Sequence, residues 1–257
     1  MKEKIKLFGI IILCLLAFSC NNKKAKVQKS DLKGKVKLIE EVSYSAKYNI
    51  NGEIVRSSDR FLQKLILDYD EKGNLKESKN IESDGLMRSY KQYYNFDYDG
   101  NIIKVKSQFK DKTVLSCYMI YDCAGNQIER ITYMADGTIQ RKESYVYDNW
   151  GNQIEEYKYN YSTFRYFTLK LINKYDVKGN KVETTTFKYD GERGSRNTSK
   201  YDNNGNQTEI CYFNSKDSLL YKNKFKYEVD KIGNWIKKIH FINEKPDFIV
   251  ERNILYY

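Results

Sequence analysis

From Lys35 onward, apolar and polar residues alternate in short runs, and small polar segments interrupt the alternation at near-regular intervals. A period of two marks a half-buried β-strand, whose successive side chains point to opposite faces. The interruptions are copies of one unit, Tyr-Asp-x-x-Gly-Asn. It reads Tyr69-Asp70 with Gly73-Asn74, then a shortened Tyr98-Asp99-Gly100-Asn101, then Tyr121-Asp122 with Gly125-Asn126. Tyr147-Asp148 with Gly151-Asn152, Tyr175-Asp176 with Gly179-Asn180 and Tyr201-Asp202 with Gly205-Asn206 follow. A degenerate copy runs from Tyr227 to Gly233-Asn234. The glycines fall 25 to 28 residues apart. Self-similarity at such a period signals a repeat architecture.

Each residue of the unit has a physical task. The Asp carboxylate accepts from backbone amides two residues on and closes an Asx-type turn. The Gly takes the left-handed conformation of a type I turn followed by a bulge. Asn starts the next strand, and Tyr ends the incoming one. A second turn signal stands midway between most copies: Asn51-Gly52, Asp84-Gly85, Asp111-Lys112, Asp136-Gly137, Asp190-Gly191 and Lys216-Asp217. One unit is therefore two strands and two turns. The chain is expected to be all-β, an antiparallel hairpin meander of about 14–16 strands in a twisted open sheet or a rolled β-shell. Phe248 to Tyr257 reads as a terminal strand that closes or caps the sheet.

The register predicts which residues share a face. Leu67, Phe96, Met119, Tyr145, Asn173, Ser199 and Phe225 stand two residues before each unit's Tyr and share its side. Two residues after each Asn stand Lys76, Ile103, Ile128, Ile154, Val182, Thr208 and Ile236, read as an inward column. The next position, with Glu77, Lys104, Glu129, Glu155, Glu183, Glu209 and Lys237, is read as outward.

The N-terminus is an address. Lys2, Lys4 and Lys6 precede an apolar run from Ile5 to Phe18, which is shorter than the roughly 20 residues of a membrane span. The run ends Leu16-Ala17-Phe18-Ser19-Cys20, which resembles a bacterial lipobox. That resemblance implies lipidation of Cys20, with residues 1–19 as signal peptide. Residues 20–34, polar and basic, read as a flexible tether, and 35–257 as the repeat domain. The basic tether favours the periplasmic face of the outer membrane over the cell surface. Net charge is +11, and +9 once the signal leaves, which favours acidic partners and, for an exported chain, not nucleic acid. Cys117, Cys123 and Cys211 remain in the domain. Cys117 and Cys123 sit at opposite ends of one predicted strand, too far apart to pair. Three free thiols are expected, with pairing of Cys211 to either of the others left open.

Seven copies in step resemble the YD repeat of the RHS and teneurin families, over about Leu38 to Tyr257. The resemblance implies a β-shell. Two features depart from it: Asn replaces the Arg that usually follows Gly, and Pro246 is the only proline, so the Asp-Pro-x-Gly end signature of RHS cores is absent. The self-cleaving core and toxin tail therefore do not carry over, and the chain reads as too short to enclose cargo. It is similar to small YD-repeat lipoproteins of Bacteroidota.

Catalytic signals are weak. The single histidine, His240, falls mid-strand between Ile239 and Phe241 and reads as structural. Glu155 and Glu156 are adjacent on a strand, face opposite sides and cannot share a glycosidase site. No zinc spacing appears, and no metal or cofactor is expected. Charges on both faces of Ile139–Tyr147 argue against a membrane-spanning barrel, since a lipid-facing charge costs about 2–4 kcal/mol at midplane. The expectation is a non-catalytic binding or scaffold lipoprotein, tethered to the membrane by lipid, for a glycan, peptidoglycan or protein partner. The alternative is a protective protein that neutralises a secreted toxin or enzyme. Trp150 at a turn tip, with Tyr147 and Tyr157, forms the candidate binding set, and Trp235 reads as a cap on the sheet.

Overall fold

A computed structural model describes residues 32–83, 90–109, 112–161 and 169–257. Cys20, the signal peptide, nearly all of the tether, and the predicted turns at Asp84-Gly85 and Asp111 lie outside the described residues. The strands are β1 (Val36–Tyr48), β2 (Ile54–Arg56), β3 (Gln63–Tyr69), β4 (Leu75–Glu82), β5 (Tyr90–Phe96) and β6 (Ile102–Phe109). They continue as β7 (Lys112–Tyr121), β8 (Gln127–Tyr133), β9 (Ile139–Tyr147), β10 (Gln153–Asn160), β11 (Leu169–Tyr175) and β12 (Lys181–Lys188). The last are β13 (Arg193–Tyr201), β14 (Gln207–Phe213), β15 (Leu219–Val229), β16 (Trp235–Ile242) and β17 (Lys245–Tyr256).

Each strand from β3 to β17 pairs antiparallel with the next, and β1 pairs with both β3 and β17. The meander therefore closes into a 16-stranded barrel. The short β2 pairs only with the outer end of β1, as a hairpin arm. Of the two expected forms, the rolled shell is the one adopted, and the terminal strand does close it. A 16-stranded ring at the usual strand spacing and tilt has a backbone diameter of about 30 Å. Closure removes the edges that an open sheet would expose.

The repeat's Tyr face is the inner one. Ile39, Tyr69, Ser78, Val105, Ser107, Cys117, Met119, Glu143, Asn173, Thr184, His240 and Val250 are buried, and the pairing register puts all of them on this face. Side chains converge on the concave side of a curved sheet and diverge on the convex side, so the crowded face is the lumen side. The outer face carries cross-strand ion pairs: Lys64–Glu40, Lys91–Glu77, Lys142–Glu129, Lys170–Glu155, Lys174–Glu183, Lys200–Glu209 and Lys237–Glu228. These encircle the barrel in mid-strand. Each is partly exposed and contributes little to stability, but together they set a belt of charge on the outer face, which is costly against hydrocarbon.

The inner face is held by a hydrogen bond that explains why the unit ends in Tyr. Tyr121 Oη donates to Ile102 O at 2.8 Å, Tyr147 to Gln127 O at 2.8 Å and Tyr175 to Gln153 O at 2.8 Å. Tyr201 donates to Lys181 O and Tyr227 to Gln207 O, both at 2.9 Å. In every case the acceptor is the residue after the preceding unit's Asn. From the third unit on, each unit is thus tied to the one before it by a phenol that only Tyr supplies. Burial pushes the Tyr121, Tyr147 and Tyr227 phenols up to about 12, which keeps them neutral donors.

Three expectations need correction. The second unit is not shortened: Asp97, not Asp99, closes its turn, accepting from Asp99 N and Asn101 N. Phe96 takes the strand-end place, and Tyr98 sits at the tip. In the last unit Asp230 fills the same role. The supposed inward column after each Asn is also wrong, because every strand that leaves such a turn carries a β-bulge. The residue directly after Asn pairs with the strand-end residue, as Leu75 does with Tyr69, and the next one is the extra, unpaired residue. Lys76 is such a residue, and its ammonium reaches Asp68 at 3.2 Å on the outer side. The outward column is as expected.

The thiols differ too. Cys117 and Cys211 are free, on opposite faces, so Cys211 pairs with neither of the others. Cys123 is disulfide-bonded and not a free thiol.

Candidate functional site

The Asp-x-x-Gly-Asn turns all lie at one rim, and their chemistry is uniform. In the first, Asp70 Oδ1 accepts from Lys72 N at 2.9 Å and Asn74 N at 2.8 Å, while Asn74 Nδ2 donates to Asp70 Oδ2 at 3.0 Å. Gly73 has φ +85°, the left-handed region that a bulged type I turn demands. The same set recurs on Asp97, Asp122, Asp148, Asp176 and Asp202. Turn chemistry consumes these carboxylates and side-chain amides. They are scaffold, and among the described residues no cluster of His, Cys, Asp and Glu is arranged to hold a metal.

The last turn is different, because it closes the ring. The Asn234 side chain does not bind Asp230 but accepts from Lys33 N at 2.7 Å and donates to Lys33 O and to Tyr256 Oη, both at 2.8 Å. Tyr256 Oη in turn donates to Asp230 Oδ2 at 2.5 Å. Leu32 packs against the Val36, Ile39 and Tyr69 cluster, so the packed domain starts at least as early as Leu32. Tyr257 N donates to Lys35 O and its phenol to Tyr69 O.

The candidate set Trp150, Tyr147 and Tyr157 is not assembled. Trp150 is 85% exposed at a turn tip. Tyr147 faces the lumen and is locked to Gln127 O. Tyr157 faces outward, donating to Glu155 Oε2 at 2.6 Å beneath the Lys170 ammonium, 5.2 Å from its ring centre. The three share neither a face nor a contact.

The lumen side of β15, β16, β17 and β1 gathers something else. Trp235 does not cap the sheet: it lies inside, with the Arg252 guanidinium 3.3 Å and the Lys238 ammonium 4.9 Å from its ring centre. Arg252 Nε donates to Glu41 Oε2 at 2.8 Å. Burial pushes both cations below their ordinary pKa values. For Lys238 the neighbouring Arg252 adds to the effect and Glu41 opposes it; for Arg252 the Glu41 hydrogen bond opposes it. Two half-buried cations thus share one carboxylate. Next along the same wall, His240 is 5% exposed between the rings of Phe225, at 5.1 Å, and Phe248, at 4.4 Å, with Nδ1 2.9 Å from Asp247 Oδ2. The histidine is held as a packed ring, as its strand position suggested. Tyr227 pairs across from Lys238. The result is a strip of rings, Phe225, Tyr227, Trp235, His240 and Phe248, with a cationic surplus beside it.

The opposite wall is polar and self-neutralised. Glu143 is buried with Arg141 Nε at 3.6 Å and Arg130 Nε at 4.0 Å, and Tyr145 Oη donates to it at 3.2 Å. Asn173 receives Thr184 Oγ1 at 2.8 Å and donates to Gln153 O at 2.9 Å.

Sequence reasoning missed Trp235, Lys238 and Arg252 as a group. The available signal was the period of two: Lys238 shares the parity of His240, and Arg252 that of Phe248 and Val250. The ring closure that brings Glu41 to Arg252 is not visible from local spacing.

No protein-family model and no curated protein sequence matches the chain. Among solved structures, it is similar to a porin-like protein from Bacteroides uniformis at 11% identity, over 87% of this chain and 98% of that one, with TM-score 0.40. It is similar to the Photorhabdus luminescens Tc holotoxin pore at 15% identity, over 75% of this chain and 10% of that one, with TM-score 0.34. A putative outer membrane lipoprotein-sorting protein domain from Vibrio parahaemolyticus shares 7% identity over 85% of each chain, with TM-score 0.29. None of these likenesses bears on what the inner wall binds.

Proposed function

We propose that this chain is an exported, non-catalytic binding shell, tethered through a lipid on Cys20 at the periplasmic side of the outer membrane, that holds an acidic glycan against its inner wall. One observation carries the reading: Lys238 and Arg252 stand half-buried with only Glu41 between them, beside a strip of five rings. A half-buried cation without a full counter-charge is costly in an empty site and is relieved by an anion. Aromatic faces provide the flat apolar area on which sugar rings stack. A carboxylate-bearing sugar chain answers both features, and a peptidoglycan strand belongs to that class. The outer ion-pair belt and the closed ring support a soluble container. The polar basic tether supports the periplasmic side.

Titration with oligogalacturonate, read by fluorescence, tests this. In a Trp150→Phe background, Trp235 is the only tryptophan and reports from the site. Saturable change is expected, weakened about tenfold by Lys238→Met, the loss of one charge-assisted contact of about 1.4 kcal/mol. A neutral oligosaccharide of equal length should bind more weakly by a similar factor. Equal response to the two sugars, or none to either, would overturn the proposal.

A further inference from the structure

We propose that the glycan lies along β15, with its acidic residue at Trp235, Lys238 and Arg252 and a tail of neutral sugars that reaches a second subsite at Tyr212 and Tyr221. The inference rests on the acidic-glycan reading above and adds to it an orientation, a length and an uncharged half. Three observations point to it.

The first is the direction in which the rings run. Tyr221, Phe225 and Tyr227 have the same parity on β15 and share its inner face. Each is met by a ring from a neighbouring strand: Tyr212 lies 4.4 Å from Tyr221, His240 5.1 Å from Phe225 and Trp235 6.1 Å from Tyr227. Tyr221 stands near the far-rim end of β15 and Tyr227 near the repeat-rim end. The two are about 20 Å apart at the strand rise of about 3.3 Å per residue. The rings therefore form a track along the strand and not a single patch. Tyr221 is 39% exposed, so its ring is open to a ligand.

The second is that charge stands at one end of the track only. Lys238 and Arg252 flank Trp235. On β14 and β15 every charged side chain, Glu209, Lys222, Lys224, Lys226 and Glu228, has outer parity. The inner residues around Tyr212 and Tyr221 are Asn197, Ile210 and Asn223. A carboxylate placed there would lose water and find no cation, whereas rings and amides suit the apolar faces and hydroxyls of an uncharged sugar.

The third is an amide in the middle of the track. Asn223 lies between Tyr221 and Phe225 on the same face, and its Oδ1 is buried and accepts no hydrogen bond. A buried acceptor of this kind calls for a donor. A hydroxyl of the tail supplies it once the amide turns to the lumen.

The test compares two sugars on the full chain in the Trp150→Phe background, read by Trp235 fluorescence. One is glucuronate joined to a single xylose, and the other is the same glucuronate at the end of a chain of xyloses. The longer sugar should bind about fivefold tighter, the worth of one added ring contact. Tyr221→Ala should abolish that gain and leave the affinity for the short sugar unchanged, and Tyr221→Phe should keep the gain. Equal affinity for the two sugars would overturn the track and leave the acidic site standing. A gain that survives Tyr221→Ala, or a Tyr221→Ala variant that loses both sugars alike, would overturn the second subsite. Binding of neither sugar would overturn the acidic-glycan reading and this proposal together.

Discussion

The two rims use nearly the same backbone turn but spend side chains on it very differently. At the rim of the repeat, Asp and Asn lock each turn through three hydrogen bonds, and neighbouring turns touch: Asn74 Oδ1 lies 3.8 Å from where a Cβ on Gly100 would be, and Asn126 and Asn152 stand likewise to Gly151 and Gly179. At the far rim, Asn49, Met134, Lys188 and Asn214 open turns with the same backbone pattern, as in Gly137 N to Met134 O and Gly191 N to Lys188 O. Asn49 and Asn214 cap theirs with their own side chains, and Asp136 and Asp190 cap the other two by accepting from Thr138 N and Glu192 N. A type I turn with a bulge needs only one left-handed residue. The paired Asp and Asn therefore add contact between neighbouring turns at one rim only, which is the rim where the ring is closed.

Acid should separate the rims most. In Asp176 the hydrogen bonds from Asn180 and its backbone hold the carboxyl below its ordinary value. In Asp70, Asp97, Asp148, Asp202 and Asp230 burial opposes this, but the combined hydrogen bonds outweigh it. A depressed folded pKa gives stability that is complete above about pH 4 and is lost as pH falls through the folded values. Hydrogen exchange from pH 5 down to pH 2.5 should show the Asp-x-x-Gly-Asn turns opening before the turn at Gly191. Simultaneous loss at both rims would sink the comparison. Asp136, in the turn at Gly137, and Asp217 at the far rim are depressed too, Asp217 by Arg193 and Arg196, so the far-rim readout is taken at Gly191 alone.

Within the repeat rim, Asn234 should matter more than its counterparts. It is buried and serves the Lys33 main chain and Tyr256, whereas Asn74 serves one carboxylate and its own turn. Asn234→Ala strands both Lys33 groups at the seam and should cost about 2–3 kcal/mol, against about 1 kcal/mol for Asn74→Ala. Urea denaturation of the two variants decides it. Equal costs would mean that the seam is no more than another hairpin.

The repeat itself was legible because its turn chemistry is local: Asp, Gly and Asn at fixed offsets dictate a turn wherever they occur. Parity carried the face assignment as far as each turn, so the Tyr ladder and the outward charges were readable. It failed just past each Asn, where the bulge inserts one residue and shifts the phase at Lys76 and Ile103. Tyr98-Asp99 masked the true pair Phe96-Asp97, because a Tyr at a tip and a Tyr at a strand end look alike in sequence. Closure by the terminal strand was among the expected forms, but the contacts that make it were not legible. It depends on Lys33, Asn234, Tyr256 and Tyr257 meeting across some 200 residues, and the inner site depends on closure, since Glu41 on the first strand reaches Arg252 on the last.

The smallest effect is the most discriminating about why glycine stands where it does. In the two-residue turn between β16 and β17, Asn243 and Glu244 both take positive φ, 47° and 69°. Asn tolerates that region, but a side chain such as that of Glu costs about 1–2 kcal/mol there, and turns of this kind favour Asn followed by Gly. Glu244 gives little in return: its ion pair with Lys224 is exposed. Glu244→Gly should therefore stabilise the barrel by about 0.5–1 kcal/mol, after the unfolded chain's added freedom offsets part of the relief. Gly151→Ala at the repeat rim, where φ is +83° and Asn126 lies against the site, should destabilise by about 1–2 kcal/mol. Thermal melts of the two variants give the signs directly. If Glu244→Gly destabilises instead, the far rim is as finely specified as the repeat rim, and the contrast between them is one of residue choice and not of stored strain.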